Sequence, residues 1–222
     1  MIGLGFCFCL LPVLKVLYRS PEEQKRFLQR HLEFFNSHPF FASWCLGAVA
    51  KLEEESVRKG WPDHHPISVF KQRLMGPLGA IGDRLFWSGL KPAVAALGVW
   101  LGLSAPKRWI AVPVFLIMYN MPVFYFRALG LKRGYRQGFE IVADLSLRRF
   151  QPWYDVCVGV GAIFTGMCLM AAIDWNLDKN VRFLLSFILS LPLALVLLYR
   201  KRSINLILFL AAAVAVMFGF FI

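Results

Sequence analysis

Apolar and polar positions along this chain sort into long uncharged runs separated by short basic clusters, most clearly toward the carboxyl end. Residues 156–173, 183–199 and 203–222 each lack charge over about 17–20 residues, long enough as helix to cross a hydrocarbon core of about 30 Å. Residues 109–126 form a fourth run, entered from Lys107 and Arg108 and left at Arg127. Pro113, Pro122 and the intervening Asn120 predict kinks and a polar interior face there. Arg200-Lys201-Arg202, between the last two runs, is a tight basic loop of the kind kept in the cytoplasm. Counting from it places Ile222 outside, Asp174–Arg182 outside and the basic stretch Arg127–Trp153 inside.

The amino-terminal half has a different pattern. Pro39–Ala50 is uncharged but only about 18 Å long as a helix, too short to cross, which predicts a re-entrant or interfacial hairpin. Leu74–Trp87 is apolar, interrupted by glycine and proline, and runs into Asp83-Arg84; its breakers predict a second hairpin whose freed backbone groups face protein or a water-filled cavity. Pro92–Pro106 completes a crossing with Leu85–Leu90. Ser20, Pro21 and Glu23 form a capping box that opens an amphipathic helix, with Phe27, Leu28, Leu32 and Phe35 on one side and Lys25, Arg26 and Arg30 on the other. A second amphipathic helix is expected near Leu131–Leu145, where Leu131, Tyr135, Phe139 and Val142 recur at helical spacing beside basic residues, suiting an anionic membrane surface.

Composition confirms the class. At 58% hydrophobic and 17% charged residues, the chain is more apolar than a soluble domain, for which about 45–50% apolar is usual. The predicted fold is an all-α integral membrane protein with several transmembrane helices, re-entrant hairpins and cytoplasmic amphipathic helices. It forms a single membrane domain over 1–222, divided into an amphipathic and hairpin half (1–106) and a transmembrane half (107–222). The net charge of +12 is distributed as positive-inside clusters, so no nucleic acid partner is expected. Five cysteines in apolar surroundings, without paired spacing, imply neither a disulfide framework nor a zinc site. Met1–Leu14 lacks a basic leader and a small-residue cleavage site and is expected to be retained.

Candidate chemistry is sparse. An ionisable group near the bilayer centre costs about 3 kcal/mol on insertion scales, so Asp83 is either a lining group of a polar path or part of a charge pair joining two arms at the membrane edge. Glu53 and Glu54, in a run with Glu55, can accept hydroxyl hydrogen bonds or sit in a solvated charge run. Asn36 and His38 stand before Pro39, where they cap a helix or meet a ligand. His64 and His65 lie in a proline-flanked loop without further ligands, and Trp87 is an interfacial anchor beside charges or a stacking platform for a sugar ring. The sequence contains no phosphate-binding GxxxxGK[ST] loop, GxSxG elbow or HExxH helix, so neither catalysis nor a cofactor is expected of this chain.

Three strings, GFCFCLLPVLKVLY (Gly5–Tyr18), RHLEFFNSHPFFASWCLGAVAKLEEE (Arg30–Glu55) and LMGPLGAIGDRLFW (Leu74–Trp87), together resemble the IID component of mannose–fructose–sorbose phosphotransferase systems (PTS). The resemblance continues through Lys91–Gly98 and Tyr119–Val142. It implies a noncatalytic subunit of the bacterial inner membrane that moves a hexose with a IIC subunit, phosphoryl transfer residing on cytoplasmic IIA and IIB components. It also implies a trimer of IIC–IID heterodimers, and carries sugar binding onto Asp83 (with Gly82), Glu53, Glu54, Asn36 and His38. Three departures stand out: Arg84 directly after the aspartate, a short arm before the Gly5 string, and a short external loop near 174–182. They motivate the alternative of a transport-inactive scaffold or regulatory subunit derived from the same family.

Overall fold

The computed structural model describes residues 2–173, and every regular element among them is helical. The runs 183–199 and 203–222, the loop 174–182 and the basic turn at 200–202 lie outside the described residues. The chain divides into two compact units, Met1–Thr165 and Gly166–Ile222. In the first, α1 (Gly3–Leu17), α2 (Pro21–Leu32), α3 (Ala42–Lys59) and α4 (His65–Gly82) precede a π-helical segment, Asp83–Leu90, which leads into α5 (Lys91–Ser104). There follow α6 (Ala111–Gln137), the short α7 (Ile141–Asp144) and α8 (Leu147–Ile173), whose last turns are the described part of the second unit.

Two helical runs, His65–Ser104 and Arg108–Asp144, are long and apolar enough to cross a membrane, with mean hydropathies of 1.2 and 1.6. The second contains the predicted run 109–126. The helix does not stop at Arg127, however, but continues to Gln137, so Leu131 and Tyr135 belong to α6 and not to a separate amphipathic helix. Leu131, Tyr135, Phe139 and Val142 are all exposed, as a face expected at a membrane surface would be. The packed face is the glycine face. Gly130 and Gly134, four residues apart on α6, receive Trp44 and the α3 backbone at Trp44 and Ala48, while Gly47 of α3 fits against the α6 backbone at Leu131 and Tyr135. Small residues on both helices let the two backbones approach, so dispersion acts between main chains instead of between side chains. Gly138 then ends α6 at φ 56°, a conformation that only glycine adopts without strain.

The first amphipathic helix forms as predicted at its start: Ser20 is extended, its Oγ accepts the Glu23 N–H at 3.2 Å, and Pro21 occupies the first helical position. Its inward stripe differs from the expectation. Phe27 and His31 are completely buried while Leu32 is exposed, and Arg30, expected on the solvent side, turns inward.

Neither segment predicted as a re-entrant hairpin reverses direction within the described residues. Ala42–Ala50 is the first half of α3, which continues through the charged stretch to Lys59 and ends on Gly60 in the left-handed conformation. Leu74–Trp87 is continuous helix despite Pro77, whose position is exposed. The irregularity appears instead as the wider π turn. Across it, buried pairs Ile81-Gly82 and Leu85-Phe86 alternate with exposed pairs Asp83-Arg84 and Trp87-Ser88.

An aromatic core ties these elements together. Phe41, at the start of α3, packs against Phe86 of the π-segment, Phe126 of α6 and Phe150 of α8 with ring centroids 5.2–6.1 Å apart. Replacing Gly134 by leucine is expected to cost at least about 3 kcal/mol, because the new side chain meets α3 backbone and not a mobile side-chain tip. Gly76→Ala, where an added Cβ meets nothing within 4 Å, is expected to hold or raise stability. Thermal unfolding of the detergent-purified variants measures both.

Candidate functional site

Two polar centres emerge, one closed on itself and one open. The closed centre is Glu53, on the inward face of α3 and wholly shielded from solvent. Burial alone would push its carboxyl up, but hydrogen bonds from His31 and Arg30, with the Arg30 charge, more than offset this and hold it at about 2. Arg30 forks onto both oxygens, Nε to Oε1 at 2.8 Å and Nη2 to Oε2 at 2.9 Å. His31 Nε2 meets Oε1 at 2.8 Å, and the Tyr18 hydroxyl donates to Oε2 at 2.7 Å. A carboxylate has about four lone-pair sites, and all are used.

Desolvation pulls the His31 imidazole below its ordinary value, against the opposing pull of Glu53. The geometry agrees with a neutral ring: Nε2–H serves Glu53, and the buried Nδ1 finds no partner among the described residues, so it has no acceptor for a second proton. Charge is therefore balanced between Glu53 and Arg30. The cluster extends outward through His64, whose Nε2 lies 3.3 Å from the Tyr18 hydroxyl, and through the fully buried Lys71 of α4, which donates to the Arg30 carbonyl at 2.6 Å. His64, expected in a surface loop, is thus half-buried at the entry to α4.

The open centre lies where the 33–41 loop meets the π-segment. His38 is buried, stacked on Phe86 at 5.3 Å and edge-on to Trp87. Gly82 makes this possible, since any side chain there would run into the His38 ring. Burial lowers the basicity of the imidazole, with the charge of Asp83 pulling the other way. His38 Nδ1 accepts the Phe40 N–H at 3.3 Å, which leaves the proton on Nε2, and that N–H meets no acceptor among the described residues. The neighbouring Ser37 hydroxyl is likewise buried and unpartnered among them.

Asp83, one residue beyond Gly82, is exposed and makes no ion pair or hydrogen bond with a described residue. Arg84 does not pair with it; its guanidinium lies over the Tyr154 ring at 4.7 Å. Trp87 is half-exposed with the Lys91 ammonium over its ring at 4.3 Å. A hydroxyl can accept from a donor such as the His38 N–H or the Ser37 O–H and donate to a carboxylate such as Asp83.

Of the residues singled out in the sequence, Asp83 and His38 are brought together. Asn36 is exposed in the same loop, its backbone N–H directed at the Met75 sulfur at 3.2 Å. Glu53 is occupied within the fold, and Glu54 is turned toward α6, where the Tyr135 hydroxyl donates to it at 2.6 Å. Sequence reasoning missed Tyr18, His31, Lys71 and Ser37. His31, one helical turn after Phe27 on the apolar stripe of α2, was the readable signal.

The described architecture is all-helical, with two helices long and apolar enough to cross a membrane, and comparison with known proteins gives the family. The family described as "PTS system mannose/fructose/sorbose family IID component" matches residues 1–222. The fructose permease IID component of Bacillus subtilis is 36% identical over 77% of this chain and 60% of its own length. The mannose-specific EIID component of Escherichia coli K12 is 35% identical over 78% of this chain and 59% of its own length. A sorbose-specific EIID component of Lacticaseibacillus casei is 33% identical over 74% and 58%, respectively. A chain from the cryo-electron microscopy structure of the mannose transporter ManYZ with microcin E492 superposes with a TM-score of 0.59 at 33% identity, over 79% of this chain and 63% of that one. The chain spans about 60% of the length of the curated relatives it matches. It belongs to the mannose/fructose/sorbose family of phosphotransferase-system IID components, which are membrane permease subunits.

Glu53 and the histidines His31, His38 and His64, all held below their ordinary values, set the acid response. Unfolded His31 takes up a proton below about pH 6.5 while the folded ring resists, so stability falls as pH drops below that value. Glu53 contributes on the order of 3 kcal/mol that is fully present above pH 4.5 and is lost as pH falls toward 2. The melting temperature is expected to decline continuously below pH 6.5, and His31→Gln to flatten the upper part of that decline. Glu53→Gln, which leaves Arg30 buried without its counter-charge, is expected to cost about 3–5 kcal/mol at pH 7.

Proposed function

We propose that this chain is the membrane subunit of a mannose-family hexose permease and translocates its sugar together with a IIC subunit, during phosphoenolpyruvate-dependent uptake. The observation that carries the reading is the open centre: Asp83, without an ion pair among the described residues, on the π-segment of a helix long enough to cross a membrane, with the His38 and Ser37 donors of the 33–41 loop, which likewise lack partners among them, nearby. In this reading Asp83, His38 and Asn36 line the sugar path, Trp87 offers its ring as a wall, and Glu53 holds α1, α2 and α3 so that the 33–41 loop stays against the π-segment. Glu54, on the α6 side of α3, is the remaining candidate contact.

Relatives named for mannose, fructose and sorbose support a hexose as substrate. The neighbour ManYZ supports assembly with a second membrane subunit. Phosphoryl transfer then falls to cytoplasmic IIA and IIB partners, and the assembly is a trimer of heterodimers in the bacterial inner membrane, multi-pass, with Ile222 external.

The test is uptake of labelled mannose by vesicles carrying this chain with its IIC partner and the cytoplasmic components. Asp83→Asn is expected to lower uptake about 10–100-fold, the worth of one hydrogen bond to a charged group, with assembly intact. Unchanged uptake would remove Asp83 from the path. Absence of accumulation by the assembled wild type would replace transport with the scaffold reading.

A further inference from the structure

A groove of about 240 Å³ runs between α1, the start of α3 and α6, with Gly5, Phe6, Ala42 and Leu46 among its walls and Arg127 at its rim. Its lining includes one cation and no carboxylate. Arg127 is exposed and makes no ion pair or hydrogen bond with a described residue, and it stands where the uncharged stretch 109–126 ends, at the level where a lipid headgroup meets the acyl region. Beside the groove the outer face of α1 is also apolar and open, with Leu4 and Phe8 more than two-thirds exposed. Gly5 keeps the groove wide: a Cβ there meets nothing within 4 Å.

We propose that this groove binds an anionic phospholipid, its phosphate on Arg127 and an acyl segment along Gly5 and Leu46. The volume equals about eight waters at 30 Å³ each, room for a run of methylenes but not for a protein helix about 10 Å across. A cation without an ion-pair partner among the described residues, above an apolar trough, matches a phosphodiester with attached chains, and matches neither a neutral detergent nor a soluble anion. A basic side chain at the membrane surface is worth about 1 kcal/mol toward anionic lipid, or about fivefold in affinity.

Native mass spectrometry of the full chain, purified in neutral detergent and titrated with phosphatidylglycerol or phosphatidylcholine, tests this. Wild type is expected to retain phosphatidylglycerol about fivefold better, and Arg127→Gln to remove that preference while leaving phosphatidylcholine retention unchanged. Gly5→Phe, at a position where an added Cβ meets nothing within 4 Å, is expected to fill part of the trough and lower phosphatidylglycerol retention at least fivefold, with the melting temperature checking that the fold is kept. Equal retention of the two lipids by wild type overturns the proposal. So does competition by glycerol phosphate as strong as that by the lipid, which would reduce the site to its headgroup. Loss of a co-purifying membrane subunit from Gly5→Phe, with lipid retention unaltered, would assign the groove to a protein partner.

Discussion

The buried carboxylate of Glu53 is the constraint on which the amino-terminal half of this protein depends. Taking one ion out of water costs several kcal/mol, and here the cost is offset only because Arg30, His31 and Tyr18 all arrive at the same two oxygens. Those three residues belong to α2 and to the end of α1, so satisfying the charge fixes both elements against α3. Lys71 extends the arrangement by binding the Arg30 carbonyl from α4, the helix that leads into the π-segment. Removing any one partner leaves a polar group buried and unmatched, which makes the cluster cooperative.

The open centre uses the opposite logic. Among the described residues, His38 and Ser37 keep unpartnered polar atoms and Asp83 makes no ion pair, at the point where a long helix widens into π geometry. Buried polar atoms without partners cost stability, as the exposed carboxylate does not. The closed cluster supplies the stability against which the open one is tolerated. Both depend on the α3–α6 seam and on the Phe41 aromatic core, which fix the 33–41 loop in place from the other side.

Much of this was legible in the residues. Charge-free runs gave the crossing at 109–126, the capping box gave the start of α2, and the breakers and charges of Leu74–Trp87 drew attention to the segment that carries the π turn. What misled was direction. Apolar spacing at Leu131, Tyr135, Phe139 and Val142 identified a face without saying what covers it, and the packed face of α6 proved to be made of glycines, which carry no hydropathy signal. Arg30 read as a solvated charge, and Glu53 as a sugar contact or part of a solvated run, because a lone sequence does not say that two ions lie beside each other when 23 positions separate them.

The sequence by itself determined the helical membrane class, the family and the short list of ionisable groups worth examining, because hydropathy, capping and motif strings are local properties of consecutive residues. Only the tertiary structure decided which of those groups is spent inside the fold and which is left free. Pairing is a matter of distance between residues remote in sequence: Glu53 is closed by Tyr18, Arg30 and His31, while Asp83 has no described partner and Arg84, its neighbour in sequence, is held over Tyr154.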